Sequence, residues 1–356
     1  LSRRQRQMCI RDSDVIKEIN PLETKDLECI DCKGLYVSPG FVDVHIHGAG
    51  GHDTMDGTFE AINEIAKTIC KYGTTSFTPT TMTMSADDIL KSMKAIKKAK
   101  LEGTDGSIVL GAHLEGPFIS PSAIGAQNPN YLIAPSFENF KSMTGDAIDA
   151  VVSITMAPEV SGAKELATEL TARGIRCSMG HTKASYEEAI EGIKCGFCHS
   201  THLFNAMTGF THREPGVVGA TFDSDITTET ISDGIHISYP SLRVAYKQKG
   251  TDKTLLVTDA MCACGMPDGT YALGGQPVIV KNGAARLENG ALAGSILTLN
   301  KAVKNIYDNT DYPLYEVVKM ASYNGAKYCR VDDRKGQIKE NFDADLVIFD
   351  ENIDVK

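Results

Sequence analysis

The sequence predicts an α/β fold: a (β/α)₈ barrel of the TIM type, with a small β-sandwich domain formed by the N- and C-terminal segments. Eight strand-like runs alternate with helical patterns through the middle of the chain, and the two ends read as strands and turns without helices. The 356 residues, 42% of them hydrophobic, suffice for one large domain with a small companion.

The eight strand-like runs are short, rich in apolar residues and bounded by turn residues. In order they are FVDVHIHG from Phe41, TTSFTPT from Thr74, SIVLGAHLEG from Ser107, DAVVSITMAP from Asp149, IRCSMGH from Ile175, FCHSTHLF from Phe197, TTETISDGIH from Thr227 and TLLVTDA from Thr254. Eight strands joined by helices predict a closed parallel barrel, which we place at residues 40–334.

Helical patterns lie between most of these runs. TFEAINEIAKTICKYG carries apolar residues at helical spacing, and Gly73 suits the position just beyond the end of that helix. SADDILKSMKAIKKAK opens with Ser85 three residues before Asp88, the spacing of a capping box. GAKELATELTARG and SYEEAIEGIKCG repeat the scheme. Each pattern predicts a helix that connects one strand to the next.

Three segments depart from this alternation. Glycine-rich, β-like residues at about 269–292 predict a β-hairpin insertion on a βα loop. Residues 1–39 and 335–356 are expected to pair into the small β domain. The opening LSRRQRQMCIRDS does not resemble the strands that should begin such a domain, so we expect it to be foreign or truncated, and the last strand-like segment stops early for a complete domain.

Composition and charge limit the partners and the cellular location that we expect for this protein. The formal net charge of −10 argues against nucleic acid as a partner, although a few local donors suffice to bind one phosphate. No uninterrupted apolar run approaches the roughly 18 residues of a membrane span, and no signal peptide is recognisable, so neither membrane association nor secretion is expected. We therefore expect a cytoplasmic protein whose ten cysteines stay reduced.

Two CxxC pairs invite a zinc-site interpretation. They are Cys29 with Cys32 and Cys195 with Cys198, and histidines closely follow the second pair. That spacing leaves no room for a zinc finger, so buried thiols are the favoured interpretation.

Metal-ligand residues end five of the eight predicted strands. They are His45 and His47 on the first, Glu115 on the third, His181 on the fifth, His202 on the sixth and Asp259 on the eighth. The carboxyl ends of barrel strands share one face, and strand residues two apart point the same way, so these side chains should converge. Imidazole nitrogens and carboxylate oxygens are ligands that Zn²⁺ or Fe²⁺ accepts.

Each of these residues has a structural alternative. A lone buried histidine is more often a hydrogen-bonded core residue, and Asp259 could simply cap the segment after its strand. Their joint placement favours a metal site, in which a carboxylate such as Asp259 can take a proton from water and pass it to a leaving group. We interpret His113 and His199 as structural or supporting residues and His52 as solvated.

Seven motifs run in order along nearly the whole chain: PGFVDVHIHG, HLEGPF, MGHTKASYEEA, THLFNAMTGFTHREPGVVGA, SDGIH, LVTDAM and LAGS. With these motifs the chain resembles the amidohydrolase superfamily of metal-dependent hydrolases, and within it the N-acetylglucosamine-6-phosphate deacetylases. The HxH pair marks only the superfamily, whereas HLEGPF and THLFNAM followed by REPG are far more specific.

The resemblance implies a fold, a reaction and a metal. Hydrolysis of the N-acetyl group of N-acetyl-D-glucosamine 6-phosphate would give acetate and D-glucosamine 6-phosphate, in amino-sugar catabolism. One or two divalent ions, Zn²⁺ or Fe²⁺, are implied per subunit. The common ligands would be Glu115, His181 and His202. His45 and His47 would serve a second ion, and Asp259 would be the general acid and base.

The resemblance also implies substrate-binding residues and a homodimer or homotetramer. The residues are Ala126, Gln127, Asn205, Ala206, Arg213, Asp233, His236, Leu292, Ala293 and Gly294. Gln127 stands where some members carry a histidine, and it can still donate a hydrogen bond with less electrostatic pull. The planar fork of Arg213 suits a phosphate, in this subunit or a neighbour's, although a solvated surface charge is the alternative.

Other reactions and a non-catalytic barrel stay open at this point. The galactosamine epimer of the substrate differs in one hydroxyl orientation, which sequence does not reveal. Members that open cyclic amides often use a carboxylated lysine as a bridging ligand, so Glu115 counts against that reaction. A scaffold that had lost its chemistry would be expected to lack some ligands, and this chain retains them all.

Overall fold

Eight parallel strands form a barrel and follow one another in chain order. The structure, a computed structural model, describes residues 9–12, 15–19 and 30–356. The barrel strands are Phe41–Ile46, Thr74–Thr81, Ala112–Glu115, Val151–Met156, Arg176–Met179, Phe197–Ser200, Thr227–Ile231 and Thr254–Val257. The predicted (β/α)₈ barrel is confirmed, with each strand at its predicted run.

The barrel closes between its eighth and first strands. The Asp259 amide donates to the His45 carbonyl at 2.8 Å, and the His47 amide donates to the Ala260 carbonyl at 2.8 Å. Ile46 and Ala260 pair as a parallel bridge, and Ala260 also pairs with Ser295. Closure therefore joins two predicted ligand positions, His45 and Asp259, through their backbones.

The α-helices follow the barrel strands. Those in the described residues are Phe59–Cys70, Ala86–Glu102, Phe137–Thr144, Ala163–Ala172, Tyr186–Lys194, Gly216–Asp223, Tyr239–Lys249, Leu299–Asn309, Leu314–Ala321 and Tyr323–Tyr328. The Ser85 hydroxyl accepts from the Asp88 amide at 3.2 Å, which is one of the two bonds of the predicted capping box, while the Asp88 carboxylate accepts from the Ser85 hydroxyl rather than from its amide. No helix in these ranges is long and apolar enough to cross a membrane.

The main core lies between the barrel and its helices. Phe41, Phe77, Phe140 and Phe197 are buried there with the aliphatic faces of the helices. Gly73 follows the first helix with a φ of +84°, and a Cβ there would come within 3.1 Å of the Phe41 ring. A glycine at this position meets both the backbone and the packing requirement.

A three-stranded antiparallel sheet stands where the sequence predicted a hairpin. Its strands are Gly269–Leu273, Gln276–Lys281 and Ala284–Leu287. Two short turns build it, Gly274–Gly275 and Asn282–Gly283, and all four turn residues have positive φ. That conformation joins two strands directly, and an Asn-Gly pair favours it. The segment therefore has one strand more than predicted.

Short strands from the two ends of the chain pair with one another. Tyr36–Pro39 is antiparallel to Leu346–Phe349, and Cys9–Asp12 is antiparallel to Val15–Ile19. The remaining strands in the described ranges are Gly48–Ala49, His52–Asp53 and Ile108–Val109. The division into a 40–334 barrel and a β domain of 1–39 with 335–356 stays a prediction. The expectation of a foreign N-terminus falls mostly outside the described residues.

Candidate metal centre and active site

Six predicted ligand residues converge at the carboxyl ends of the strands, and all are buried. Their side chains form two groups, in each of which the ligand atoms lie within 4.8 Å of one another: His45 with His47 and Asp259, and Glu115 with His181 and His202. The convergence expected from five separate strands is therefore present in the structure.

Glu115 lies between the two groups. Its Oε1 is 3.1 Å from His202 Nε2 and 3.3 Å from His181 Nε2. The same oxygen is 3.4 Å from His45 Nε2, and the other oxygen is 3.3 Å from His47 Nε2. One carboxylate thus faces ring nitrogens of both groups.

Asp259 is the site carboxylate that is most open to the mouth of the barrel. Its Oδ1 lies 3.2 Å from His47 Nε2 and 3.5 Å from His45 Nε2. Its side chain is 11% exposed, against 3% for Glu115. A proton can therefore pass between Asp259 and a molecule that enters from the mouth.

Three of these residues have a left-handed backbone. The φ angles are +48° at His181, +29° at His202 and +47° at Asp259. Non-glycine residues rarely adopt this conformation, and such strain clusters at functional sites because the surrounding fold holds it in place. At these strand ends it turns each side chain toward the common centre.

Hydrogen bonds to the far nitrogen orient three of the imidazoles. His47 Nδ1 donates to the Thr80 carbonyl at 3.2 Å, and His181 Nδ1 donates to the Ala123 carbonyl at 3.0 Å. Because a carbonyl only accepts, the hydrogen of the neutral ring lies on Nδ1 and the Nε2 lone pair faces the centre. His45 makes the equivalent bond with a carboxylate, described below.

The arrangement fits a divalent cation. His45 Nε2 is buried and has no hydrogen-bond partner within the described residues. His181 Nε2 and His202 Nε2 lie 3.2 Å apart, and both lie within 3.3 Å of Glu115 Oε1, so the three atoms are close enough together to contact one ion. Imidazole nitrogens and carboxylate oxygens are the donor set of zinc and iron sites. The residues present are therefore able to hold such an ion.

The electrostatics also call for positive charge. Burial disfavours a charged His45, but the surrounding carboxylates outweigh it and raise the pKa of His45 to about 9. Burial works to raise the pKa of Glu115, but the imidazoles of His45 and His181 hold it well below its usual value. A bound cation would supply the positive charge and displace these ring protons.

Glu229, on the seventh strand, is a functional residue that the sequence reasoning missed. Its Oε2 accepts from His45 Nδ1 at 2.9 Å and from the His202 amide at 3.1 Å, and its Oε1 accepts from His199 Nε2 at 3.1 Å. It is fully enclosed, with a side chain 1% exposed. A charged residue inside the β-branched run TTETI was the available signal, because a lone acid on a buried strand needs partners.

The remaining histidines and cysteines take supporting or peripheral positions. His113 Nε2 lies 2.8 Å from Thr155 Oγ1, and burial lowers the pKa of His113 to about 3, so this ring stays neutral. His52 is 43% exposed beside Asp56, as expected of a solvated residue.

The half-buried Cys195 and Cys198 are free thiols, and no zinc knuckle forms in the described part of the chain. Cys29 lies outside it.

Gln127 is held by the candidate metal centre. Its Nε2 donates to Glu115 Oε2 at 2.6 Å, and its Oε1 accepts from the Thr83 amide at 2.7 Å. A Cβ at Gly125 would come within 3.1 Å of His181 Cε1 and 3.7 Å of Ala206 Cβ. The loop that carries Ala126 and Gln127 therefore lies directly against the centre.

Two further predicted substrate-binding segments flank the ligands. The Ala206 carbonyl accepts from the Thr182 amide at 3.0 Å, and Asn205 Nδ2 donates to carbonyls of the same loop, which leaves the Asn205 oxygen free. The segment of Leu292, Ala293 and Gly294 runs past Asp259, and a Cβ at Gly294 would come within 3.0 Å of the Asp259 carbonyl.

Asp233 orients the His236 ring, whereas Arg213 lies on an exposed loop away from the candidate metal centre. His236 Nδ1 lies 2.7 Å from Asp233 Oδ2, so its Nε2 is left for another partner. Arg213 is exposed on the loop after the sixth strand, where its Nη1 lies 2.7 Å from His212 Nε2. Within the described residues it makes no contact with a ligand residue.

Several known proteins are similar to this chain in sequence and in fold. The amidohydrolase family matches residues 36–355. An N-acetylglucosamine-6-phosphate deacetylase of Lysinibacillus sphaericus is 39% identical over 98% of this chain and 90% of its own length. The crystal structure of such a deacetylase from Pasteurella multocida is 33% identical, with a TM-score of 0.93, over 98% of this chain and 92% of its own. A Mycobacterium smegmatis mutant in complex with N-acetyl-D-glucosamine-6-phosphate is 28% identical, with a TM-score of 0.91, over 96% and 90%.

Proposed function

The chain belongs to the amidohydrolase family, and on that premise we propose that it hydrolyses the N-acetyl group of N-acetyl-D-glucosamine 6-phosphate. The products are D-glucosamine 6-phosphate and acetate, in amino-sugar catabolism. The observation that carries the proposal is the pair of ligand groups that meet at Glu115, with Asp259 on the open side. Near full-length similarity to deacetylases of this substrate supports the choice.

The ligand groups support Zn²⁺ or Fe²⁺, one or two ions per chain. Glu115, His181 and His202 would hold the first ion, and His45 and His47 would hold a second beside it. When bound, such an ion supplies Lewis acidity that lowers the pKa of water to about 7 and polarises a carbonyl.

Asp259 is proposed as the general base and then the general acid. Burial works to raise its pKa, but His45 and His47 lower it below its usual value, so the carboxylate starts ionised. It accepts a proton from the attacking water, whose oxygen forms the new bond to the acetyl carbon. As the C–N bond breaks, Asp259 returns that proton to the departing nitrogen, which leaves the free amine and acetic acid, and the acid then loses its proton to water to give acetate.

The substrate-binding segments would orient the sugar. His236 presents Nε2, because Asp233 engages its other nitrogen. The Asn205 amide already donates to the His202 carbonyl at 2.9 Å, so the Ala206 amide is the loop donor that can serve a phosphate oxygen without adding charge. We propose that the exposed Arg213 completes the phosphate site of a neighbouring subunit in a homodimer or homotetramer. A cytoplasmic location suits the free thiols of the described cysteines.

Asp259→Asn tests the proposed chemistry. Acetate release from the phosphorylated substrate should fall by about 10²-fold or more, because the amide cannot take the proton. Metal content, measured on the same sample, should persist if the other ligands hold the ion. The matched control is Asp333→Asn at an exposed position. Near-normal turnover with metal bound would remove Asp259 from the mechanism.

A substrate comparison tests the phosphate and epimer assignments. Acetate release is measured for N-acetylglucosamine 6-phosphate, its galactosamine epimer and the unphosphorylated sugar. Arg213→Ala should lower kcat/KM more for the two phosphorylated sugars than for the unphosphorylated one, since only the phosphate gains from the guanidinium. Equal loss on the phosphorylated and unphosphorylated sugars contradicts the Arg213 role. Faster turnover of the epimer would replace the proposed substrate.

A further inference from the structure

A second cavity lies at the amino-terminal end of the barrel, away from the ligand residues. Its volume is about 360 Å³, which is in the range of small-molecule sites. The chain reaches it just before or at the starts of the third, fourth and fifth strands, at 108–110, 151–152 and 174–176, and just after the helix Tyr323–Tyr328. Parallel strands start at one face and end at the other, so this cavity and the metal centre lie on opposite faces.

Four cationic side chains line this cavity: Lys100, Arg176, Arg330 and Arg334. None of its other described lining residues is acidic, although the chain as a whole carries a net charge of −10. Like charges around one cavity repel each other, and a low-dielectric wall strengthens that repulsion. The cavity is therefore a local positive site on a negative protein.

Two of the four cations are already engaged. Arg176 donates from Nη2 to the Lys327 carbonyl at 3.1 Å and from Nε to the Tyr328 carbonyl. Arg334 pairs with Asp343 at 2.6 Å. These contacts hold the two guanidinium groups in place. Arg176 contributes fixed positive potential beside the cavity, because its partners are neutral carbonyls, whereas Asp343 offsets the charge of Arg334.

The other two cations are free. The side chains of Lys100 and Arg330 make no hydrogen bond and no ion pair with any described residue, and Arg330 uses only its backbone amide, which donates to the Lys327 carbonyl. Arg330 has a φ of +58°, a conformation that usually belongs to glycine after a helix end. Its Nη1 lies at the rim, where a Cβ on Gly174 would come within 3.1 Å. Eight donors on these two side chains are thus available to a ligand.

Helix dipoles account for only part of this cluster. Lys100 lies in the last turn of Ala86–Glu102, and Arg330 follows the end of Tyr323–Tyr328, so each is favoured by a helix C-terminus. That effect does not explain why both remain unpaired beside two further cations at a shared cavity. A bound anion would relieve the repulsion of all four.

We propose that this cavity binds a small organic phosphate. Lys100 and Arg330 contact the phosphate oxygens, and the fixed charge of Arg176 adds attraction. The apolar wall, which includes Val109 and Val151, packs against the carbon skeleton. A cavity of about 360 Å³ admits a phosphomonoester of sugar size and excludes a nucleic-acid duplex. The site is independent of the proposed hydrolysis.

Hydrogen exchange of the full chain, read by mass spectrometry, tests the site with inorganic phosphate as the probe. Chloride keeps the ionic strength constant. Peptides that cover 327–335 should exchange about tenfold more slowly at a phosphate concentration of about ten times Kd. The reason is that the slowing factor equals one plus the ratio of the free phosphate concentration to Kd. The double variant Lys100→Ala/Arg330→Ala should lose this protection and retain protection near the barrel mouth.

The control is Lys94→Ala/Lys301→Ala, which removes the same charge from exposed positions and should behave as the parent protein. Protection that is absent from 327–335 in the parent protein overturns the proposal. Equal loss of protection in both double variants also overturns it, because the effect would then be general ionic attraction. If the first double variant does not fold, Arg330→Gln alone must reduce the protection at 327–335.

Discussion

The substitution Glu229→Gln tests a carboxylate that lies behind the ligand residues and holds His45 by a hydrogen bond. Three N–H donors point at it, from His45 Nδ1, the His202 amide and His199 Nε2. Gln keeps the shape but offers one acceptor oxygen instead of two and no charge. If that oxygen replaces Oε2, it retains the first two donors, and the amide nitrogen then faces His199.

His199 can compensate for part of the hydrogen bonding that Glu229→Gln removes. Its Nδ1 lies 2.6 Å from Thr227 Oγ1, so the ring can move its hydrogen to that side and accept from the new amide. The main loss is then the charge that strengthens the bond to His45 at 2.9 Å and favours the imidazole geometry. Loss of such a supporting carboxylate lowers metal affinity by about 10- to 100-fold. We expect roughly tenfold for Glu229→Gln, or about 1.4 kcal/mol.

The assay is a metal titration of the stripped protein against a chromogenic chelator, which reports ion affinity directly. The second ion should be lost first, because His45 belongs to the group that would hold it. Acetate release at saturating metal should stay within a few-fold of the parent. Glu288→Gln, an exposed substitution of the same kind, is the control. Unchanged affinity of a folded Glu229→Gln would refute the reasoning.

Three further expectations concern the metal, a buried ion pair and Gln127. Chelation should abolish acetate release and added Zn²⁺ or Fe²⁺ should restore it; full activity in metal-free protein would rule out the metal site. Lys335→Met should lower the free energy of unfolding in urea by about 3 kcal/mol, because Lys335 is buried with Asp343 at 2.8 Å, while exposed Lys301→Met should not. Gln127→Ala should lower the melting temperature, because it leaves the Thr83 amide buried without its acceptor, at about 1–3 kcal/mol; an unchanged melting temperature would contradict that bond.

Local sequence determines the barrel and its ligands to a large extent. Strand-like runs and the turn residues around them depend on neighbours in the chain, so all eight strands were predictable. The ligand residues were predictable because each lies within two residues of the end of its strand, as Glu115 ends the third. The extra strand near residue 284 was also readable, since Asn282–Gly283 is a strong hairpin signal, but the prediction did not use it.

Contacts between distant segments were decided only by the closed barrel. The sequence marks Glu115 as a ligand, yet its place between both groups depends on the register and tilt of strands far apart in the chain. Glu229 reaches His45 across 184 residues, and Gln127 turns to Glu115 instead of the open mouth. The cationic cavity at the opposite face gathers residues from five separate segments. Local patterns specify which way a side chain points on its strand, whereas distances across a barrel follow from its closure.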